Sequence, residues 1–168
     1  MSVRFILLSV FALGLASTAC QPPAQEAAGL SEEDVAAIES TVASFVQTAL
    51  ANDFAEWPAL HTEDALCLPP NQPAVKGRAA IQRWGEAFSL TELTITLLEI
   101  DGRDGFAYGR STYSYSGTVT AEGMSVPVMD SGKGMVVLRE QADGSWLIAV
   151  NIWNSDLPLP EAGAETET

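Results

Sequence analysis

Basic residues are scarce in this sequence. The 168 residues include 8 Lys and Arg against 22 Asp and Glu, which gives a formal net charge of −14. A surface of that sign repels phosphate backbones, so we expect no nucleic-acid partner. The acidic surplus itself indicates solubility rather than a particular function.

Motifs that hold cofactors are missing as well. The sequence contains no P-loop, no dinucleotide-binding fingerprint and no zinc motif. It has one His and two Cys, so a metal site at His61 would need a further nitrogen or sulfur ligand, and there is no second His. We therefore expect neither a nucleotide nor a metal cofactor.

The N-terminal residues have the order of an export signal. Arg4 precedes an apolar segment, Phe5–Leu15, that is too short to cross a bilayer as a mature helix. Small residues follow, and then Cys20. This order resembles a bacterial lipoprotein signal peptide, which implies removal of residues 1–19 and lipidation of Cys20.

The lipoprotein resemblance predicts a location in the bacterial cell envelope, where acyl chains on Cys20 would anchor the protein in the membrane. Gln21 favours the outer membrane, with the domain facing the periplasm. Residues 20–30 would then be the lipidated Cys and a Pro- and Ala-rich tether. Ser17 departs from the motif, which usually has Leu there. A plain secretory signal cut near Ala19, with a soluble periplasmic or secreted product, is the alternative.

Helical periodicity dominates the first part of the remaining chain. Ser31 and Asp34 form a variant of the capping box at the start of a helix that ends at Asn52-Asp53. A second, short helix is expected over 54–61.

A strand, a loop and a third helix come next. The strand is expected over Ala65–Leu68, the loop is rich in Pro, and Gly77 begins the helix. Cys67 lies in this strand between two Leu residues, which favours a buried thiol. A nucleophilic Cys67 would need a nearby base, and His61 is the one His available.

Apolar residues alternate with polar residues from Leu90 onward, which predicts a sheet. The alternation slips at Leu97–Leu98 and so predicts a bulge, and Pro127 indicates an edge position or a bulge. Asp143-Gly144 is the clearest hairpin turn in the chain. The expected strands are one from Leu90 to the turns at 101–105, and then 106–119, 124–129, 134–140 and 146–153.

The last strand is largely apolar on both faces, and this predicts contact with a second subunit, a homodimer through the sheet. Strict alternation gives one face Trp146, Ile148, Val150 and Ile152, and the other Leu147, Ala149 and Trp153.

Three segments carry a family resemblance: residues 45–60, 63–88 and 143–158. Together they resemble the nuclear transport factor 2-like superfamily, in its SnoaL-like and ketosteroid-isomerase-like branches of unassigned activity. The resemblance implies an α+β fold for residues 31–158, cone-shaped, with three N-terminal helices packed on a curved, mostly antiparallel sheet. Residues 159–168 would be an acidic, disordered tail.

Ketosteroid isomerases of this fold use an Asp base and an oxyanion hole formed by a Tyr and a protonated Asp. By resemblance, the Tyr position falls on Phe45 and the base position on or beside Pro69. No carboxylate lies within 131–139, where the second acid is expected. Isomerase chemistry would therefore lack its base and its charge stabilisation.

The resemblance also implies a pocket between the helices and the concave face of the sheet. An apolar cavity with a few polar groups is typical of small-molecule sites. The alternative is that the aromatic side chains predicted to line this pocket simply fill the core. The candidate lining residues are Phe45, Trp57, Leu60, Trp84, Phe88, Tyr113, Asn151 and Trp153, with His61, Asn154 and Asp156 as further polar groups.

Three functions follow from these observations. The first is a lipid-anchored module that binds a small apolar ligand without catalysis, and the vacant catalytic positions favour it. The second is a SnoaL-like lyase, cyclase or isomerase-type enzyme with His61, Asp64 or Asp156 as acid or base. The third is a structural, dimerising module of the envelope.

Overall fold

A computed structural model of the chain describes residues 29–121 and 123–158. The expected signal peptide, Cys20 and the acidic tail lie outside these ranges, as does the expected tether up to residue 28. The described elements follow in the order α1 (Glu32–Leu50), α2 (Trp57–Leu60), β1 (His61–Leu68), β2 (Val75–Lys76), α3 (Arg78–Gly85), β3 (Phe88–Arg103), β4 (Phe106–Ala121), β5 (Met124–Glu140) and β6 (Trp146–Ser155).

The start of α1 is fixed by its own side chains. The Oγ of Ser31 accepts a hydrogen bond from the backbone N–H of Asp34 at 3.1 Å, and the Asp34 carboxylate accepts one from the backbone N–H of Ser31 at 2.9 Å. The predicted capping box is therefore confirmed. The Asp34 carboxylate also accepts from Nε1 of Trp146 at 3.2 Å, which ties the first turn of α1 to β6.

The second helix is shorter than expected. Only Trp57–Leu60 forms a helical turn, with Pro58 in it, and β1 begins at His61 instead of Ala65. The reason is long-range pairing, because His61 is already in register with Ile148 of β6. The helical layer therefore consists of two true helices and one turn, with β1 and β2 inserted before α3.

The six strands form one mixed sheet in the order β2-β1-β6-β5-β4-β3. The pairing of β1 with β6 is parallel, and the other four pairings are antiparallel. The register shifts between Leu97 and Glu99, which confirms the bulge predicted in β3.

One expectation about the sheet is wrong: the two strands predicted over 124–129 and 134–140 are a single strand, β5. It pairs with β4 along its whole length. Within this strand, Gly132 allows close approach of the Asn154 carbonyl, which a side chain there would meet. Pro127 lies in the half of β5 that pairs with β4 alone, so its predicted edge position is confirmed.

The predicted faces of β6 are also wrong. Val137 pairs with Val150, but Leu138 pairs with Ile148, so an irregularity at Ala149 interrupts the alternation. As a result, Trp146 and Ile148 are buried on the side where α1 packs, while Ile152 on the opposite face is 38% exposed.

Two clusters of buried apolar residues join the helices to the sheet. The first comprises Ile38, Val42, Ala107, Val136, Leu138, Trp146 and Ile148. The second comprises Ala49, Phe54, Trp57, Ala65, Cys67 and Ile81. In the described part of the chain, no helix is long and apolar enough to span a membrane.

Candidate functional site

A cavity of about 220 Å³ lies between the helices and the inner face of the sheet. None of its described lining residues is Asp, Glu, Lys or Arg. Seven of the eight candidates line it: Phe45, Trp57, Trp84, Phe88, Tyr113, Asn151 and Trp153. Leu60 does not, and packs instead against the second core cluster.

The walls of the cavity are built from aromatic contacts. Phe45 of α1 stacks on Trp57, with ring centroids 4.8 Å apart, and Phe54 packs nearly perpendicular to the same indole with its centroid also at 4.8 Å. Further along the cavity, Trp84 contacts Phe88 at 4.7 Å and Trp153 at 5.9 Å. These pairs hold the rings in defined orientations.

His61 directly follows the α2 turn, but it is 2% exposed and lines the cavity, so it is not a surface residue. Its Nδ1 lies 2.7 Å from the backbone oxygen of Trp57. Because a carbonyl oxygen can only accept, Nδ1 carries the proton and Nε2 of the neutral ring has the lone pair. Burial lowers the pKa of His61, and the nearby charge of Arg78 adds to that effect, although the bond to Trp57 opposes it.

The acidic candidates lie outside the cavity. Asp64 is exposed and lies 3.3 Å from Nη1 of Arg139, and the pKa of Asp64 is lowered first by a hydrogen bond from Thr62 and then by Arg139. Asp156 is exposed and forms an ion pair with Lys133. Asn154, the further polar candidate, does not line the cavity either.

A polar group that the sequence did not reveal lies beside the cavity. Tyr113, which lines the cavity, donates a hydrogen bond to Oδ2 of Asp130 at 2.7 Å. The other oxygen of Asp130 accepts from Ser155 and from the backbone N–H of Ser131. Burial raises the pKa of the Tyr113 phenol, and the bond to Asp130 raises it further. Asp130 lies one residue before the 131–139 segment, in which the resemblance to ketosteroid isomerases placed the second acid.

Two further lining groups limit the chemistry. Pro69 lines the cavity at the position where the resemblance puts a base. Cys67 also lines it, but burial raises the pKa of its thiol to about 12, so the thiol is protonated and not nucleophilic near neutral pH.

The indole N–H groups of Trp57 and Trp153 are buried and have no hydrogen-bond partner among the described residues.

The family model of the SnoaL-like domain matches residues 30–147. The chain belongs to the SnoaL-like domain family. No curated protein matches the chain. The matched segment contains α1, the cavity-lining turn at Trp57 and all strands up to the start of β6.

Solved structures share the fold of this SnoaL-like domain. A ketosteroid isomerase-like protein from Erwinia carotovora atroseptica has 22% identity and a TM-score of 0.63, over 76% of this chain and 100% of that one. A protein of unknown function from Mycobacterium tuberculosis has 21% identity and a TM-score of 0.64, over 80% and 84%. A protein from Catenulispora acidiphila, solved in complex with S-DNPA, has 20% identity and a TM-score of 0.60, over 75% and 96%. At these identities the likeness establishes the nuclear transport factor 2-like α+β fold and not an activity.

Proposed function

We propose that this SnoaL-like domain binds a compact, uncharged, mostly apolar small molecule in the cavity. The observation that carries the proposal is the lining itself, which is rich in aromatic rings and has no Asp, Glu, Lys or Arg among its described residues. A charged ligand would lose its hydration there without gaining a counter-charge. An apolar ligand would gain the free energy of burying its surface.

The cavity size limits the ligand. Its volume of about 220 Å³ is below the range of about 300–1,000 Å³ that is common for drug-sized ligands. We therefore expect a ligand of one or two rings, or a short branched chain.

Native mass spectrometry of protein purified gently from its own host tests this function. We expect an added mass that is lost on denaturation. In a Leu93→Trp variant, the larger side chain should fill part of the cavity and abolish the added mass, because Leu93 lines it. Leu98→Trp is the matched control on the same strand, since Leu98 is 50% exposed and does not line the cavity. An unliganded wild-type protein, or equal loss in both variants, would contradict the proposal.

A second candidate function is catalysis by His61. The observation that favours it is the neutral ring of His61, which lines a cavity without Asp, Glu, Lys or Arg among its described residues and carries its lone pair on Nε2. The described lining holds no carboxylate or Lys that could act as the complementary acid or base. A single base with no charge stabilisation opposite it fits binding better than turnover.

The N-terminal sequence supports a proposal for the location of the protein in the cell. We propose that Cys20 is lipidated and that the domain is held at the envelope, with the outer membrane as the expected location. Mass analysis of the mature protein should find acyl chains on Cys20, and Cys20→Ser should release the protein from the membrane fraction. A mature chain that begins at residue 20 without acyl chains would support a plain secretory signal instead.

A homodimer through the sheet is a further proposal. On the outer face, Met135 and Ile152 are in register on β5 and β6 and are 41% and 38% exposed. A charge in this patch should weaken a dimer, so Met135→Lys should lower the mass measured by analytical ultracentrifugation. Thr94→Lys, an exposed position on β3, is the control. A wild-type protein that sediments as a monomer would refute the proposal.

A further inference from the structure

The end of the cavity formed by His61 and Trp57 differs from the rest. The two rings lie 6.1 Å apart, and the backbone oxygen of Trp57 holds the proton on Nδ1 of His61. Nε2 is therefore a hydrogen-bond acceptor. The indole N–H of Trp57 is a buried donor without a described partner. This end thus combines an acceptor and a donor within apolar walls.

The indole N–H of Trp153 is also without a described partner, but three other polar groups of the lining have already used their donors. The Tyr113 hydroxyl donates to Asp130, the Ser111 hydroxyl to the backbone oxygen of Gly134, and the Trp84 indole to the side chain of Gln72. A ligand that offered only acceptor atoms would leave Nε2 of His61 without a partner, and a buried unpaired polar atom costs about 1–3 kcal/mol.

We propose that the cavity binds an uncharged alcohol or phenol whose hydroxyl group donates a hydrogen bond to Nε2 of His61. The hydroxyl oxygen also brings lone pairs to the part of the cavity lined by Trp57, whose N–H lacks an acceptor. An N–H donor would satisfy His61 but would bring no acceptor at the same atom. This inference rests on the proposed binding function and specifies its ligand class.

Two probes of equal shape test the hydroxyl. 2-Naphthol and 2-methylnaphthalene differ by O–H against CH₃, and both are uncharged at pH 7.5. Quenching of Trp fluorescence gives their dissociation constants, because Trp57, Trp84 and Trp153 line the cavity. The ratio of the two dissociation constants measures the preference for the hydroxyl group. A change in the cavity that weakens both probes equally cancels in this ratio.

Two variants of His61 test the roles of its two ring nitrogens separately. In His61→Asn, an amide N–H lies near the position of Nδ1, so the bond to Trp57 is retained and the acceptor is lost. In His61→Gln, the amide reaches the position of Nε2 and supplies an acceptor there. We expect the preference for 2-naphthol to fall about fivefold in His61→Asn and to persist in His61→Gln.

The outcomes distinguish this inference from the proposed function. If both probes bind and their ratio is the same in the wild type and both variants, the hydroxyl inference is wrong and the apolar binding site stands. If neither probe binds the wild type, the binding function itself is contradicted for ligands of this size. Thermal melts of each variant confirm that the protein measured is folded.

Discussion

The hydroxyl of Tyr113 donates a hydrogen bond to Oδ2 of Asp130 at 2.7 Å. This bond joins the cavity wall on β4 to the half of β5 that pairs with β4 alone. Asp130 also accepts from Ser155 at the end of β6, so one carboxylate connects three strands. The group is part-buried, and its bonds are shielded from water more than those of a surface pair.

We predict that Tyr113 and Asp130 are energetically coupled. A double-mutant cycle with Tyr113→Phe and Asp130→Asn should give a coupling free energy of about 1 kcal/mol in urea unfolding. Tyr108 and Glu99 are the matched control, because they form the same kind of bond at 2.8 Å on the exposed face. The control pair should show a smaller coupling, and equal values for the two pairs would contradict the prediction.

A second prediction concerns pH. Burial holds the pKa of His61 in the folded chain below its ordinary value of 6.5, so unfolding takes up a proton as the pH falls below 6.5. The stability contributed by neutral His61 is full above pH 6.5 and is lost as the pH falls toward the folded pKa. The loss should be at most about 1.4 kcal/mol per pH unit.

Urea unfolding between pH 7.5 and 5 measures this loss. His61→Asn is the control, since the chain has one His and this variant should remove the slope. The carboxylates with lowered pKa values, such as Asp34 and Asp64, have ordinary values of 3.8 and contribute at lower pH. An unchanged slope in the variant would mean that other groups cause the loss.

Local signals in the sequence were sufficient for part of the fold. The capping box of Ser31 and Asp34 and the bulge after Leu97 each depend on a few neighbouring residues. The aromatic candidates that line the cavity depended on more than local signals, because the family resemblance implied the pocket between the helices and the sheet.

Long-range contacts determined what the sequence did not reveal. His61 is buried because β1 pairs with β6 and because Arg78 of α3 donates to its backbone oxygen at 2.6 Å. Asp64 points outward to Arg139, 75 residues away. Alternation alone also could not show that β6 shifts its register at Ala149. These partners are distant in sequence, so periodicity contains no information about them.

A third prediction concerns the thiol of Cys67. It is 4% exposed, and its pKa is raised to about 12, so a thiol reagent should react with the folded protein very slowly at pH 8. Using a Cys20→Ser background leaves Cys67 as the one thiol. Leu98→Cys in the same background supplies an exposed thiol on β3 that should react rapidly in the native state. Rapid labelling of Cys67 itself would show that the cavity wall opens readily.

The last prediction concerns the contact between α3 and the cavity wall. A Cβ at Gly85 would lie 2.7 Å from Cζ3 of Trp57 and 2.8 Å from Cδ1 of Phe54. Gly85→Ala should therefore destabilise the fold by about 1–3 kcal/mol, despite the better helix propensity of Ala. Gly29→Ala is the control, because a Cβ there meets nothing within 4 Å and should leave the unfolding midpoint nearly unchanged.

The position of Trp57 gives this prediction a second readout. The indole stacks on Phe45 and lines the cavity, so a side chain at residue 85 must push it toward Phe45 or into the cavity. Binding of 2-naphthol to a folded Gly85→Ala variant should weaken, whereas Gly29→Ala should bind as the wild type does. A Gly85→Ala protein with unchanged stability and unchanged binding would mean that α3 can move away from Trp57 without cost.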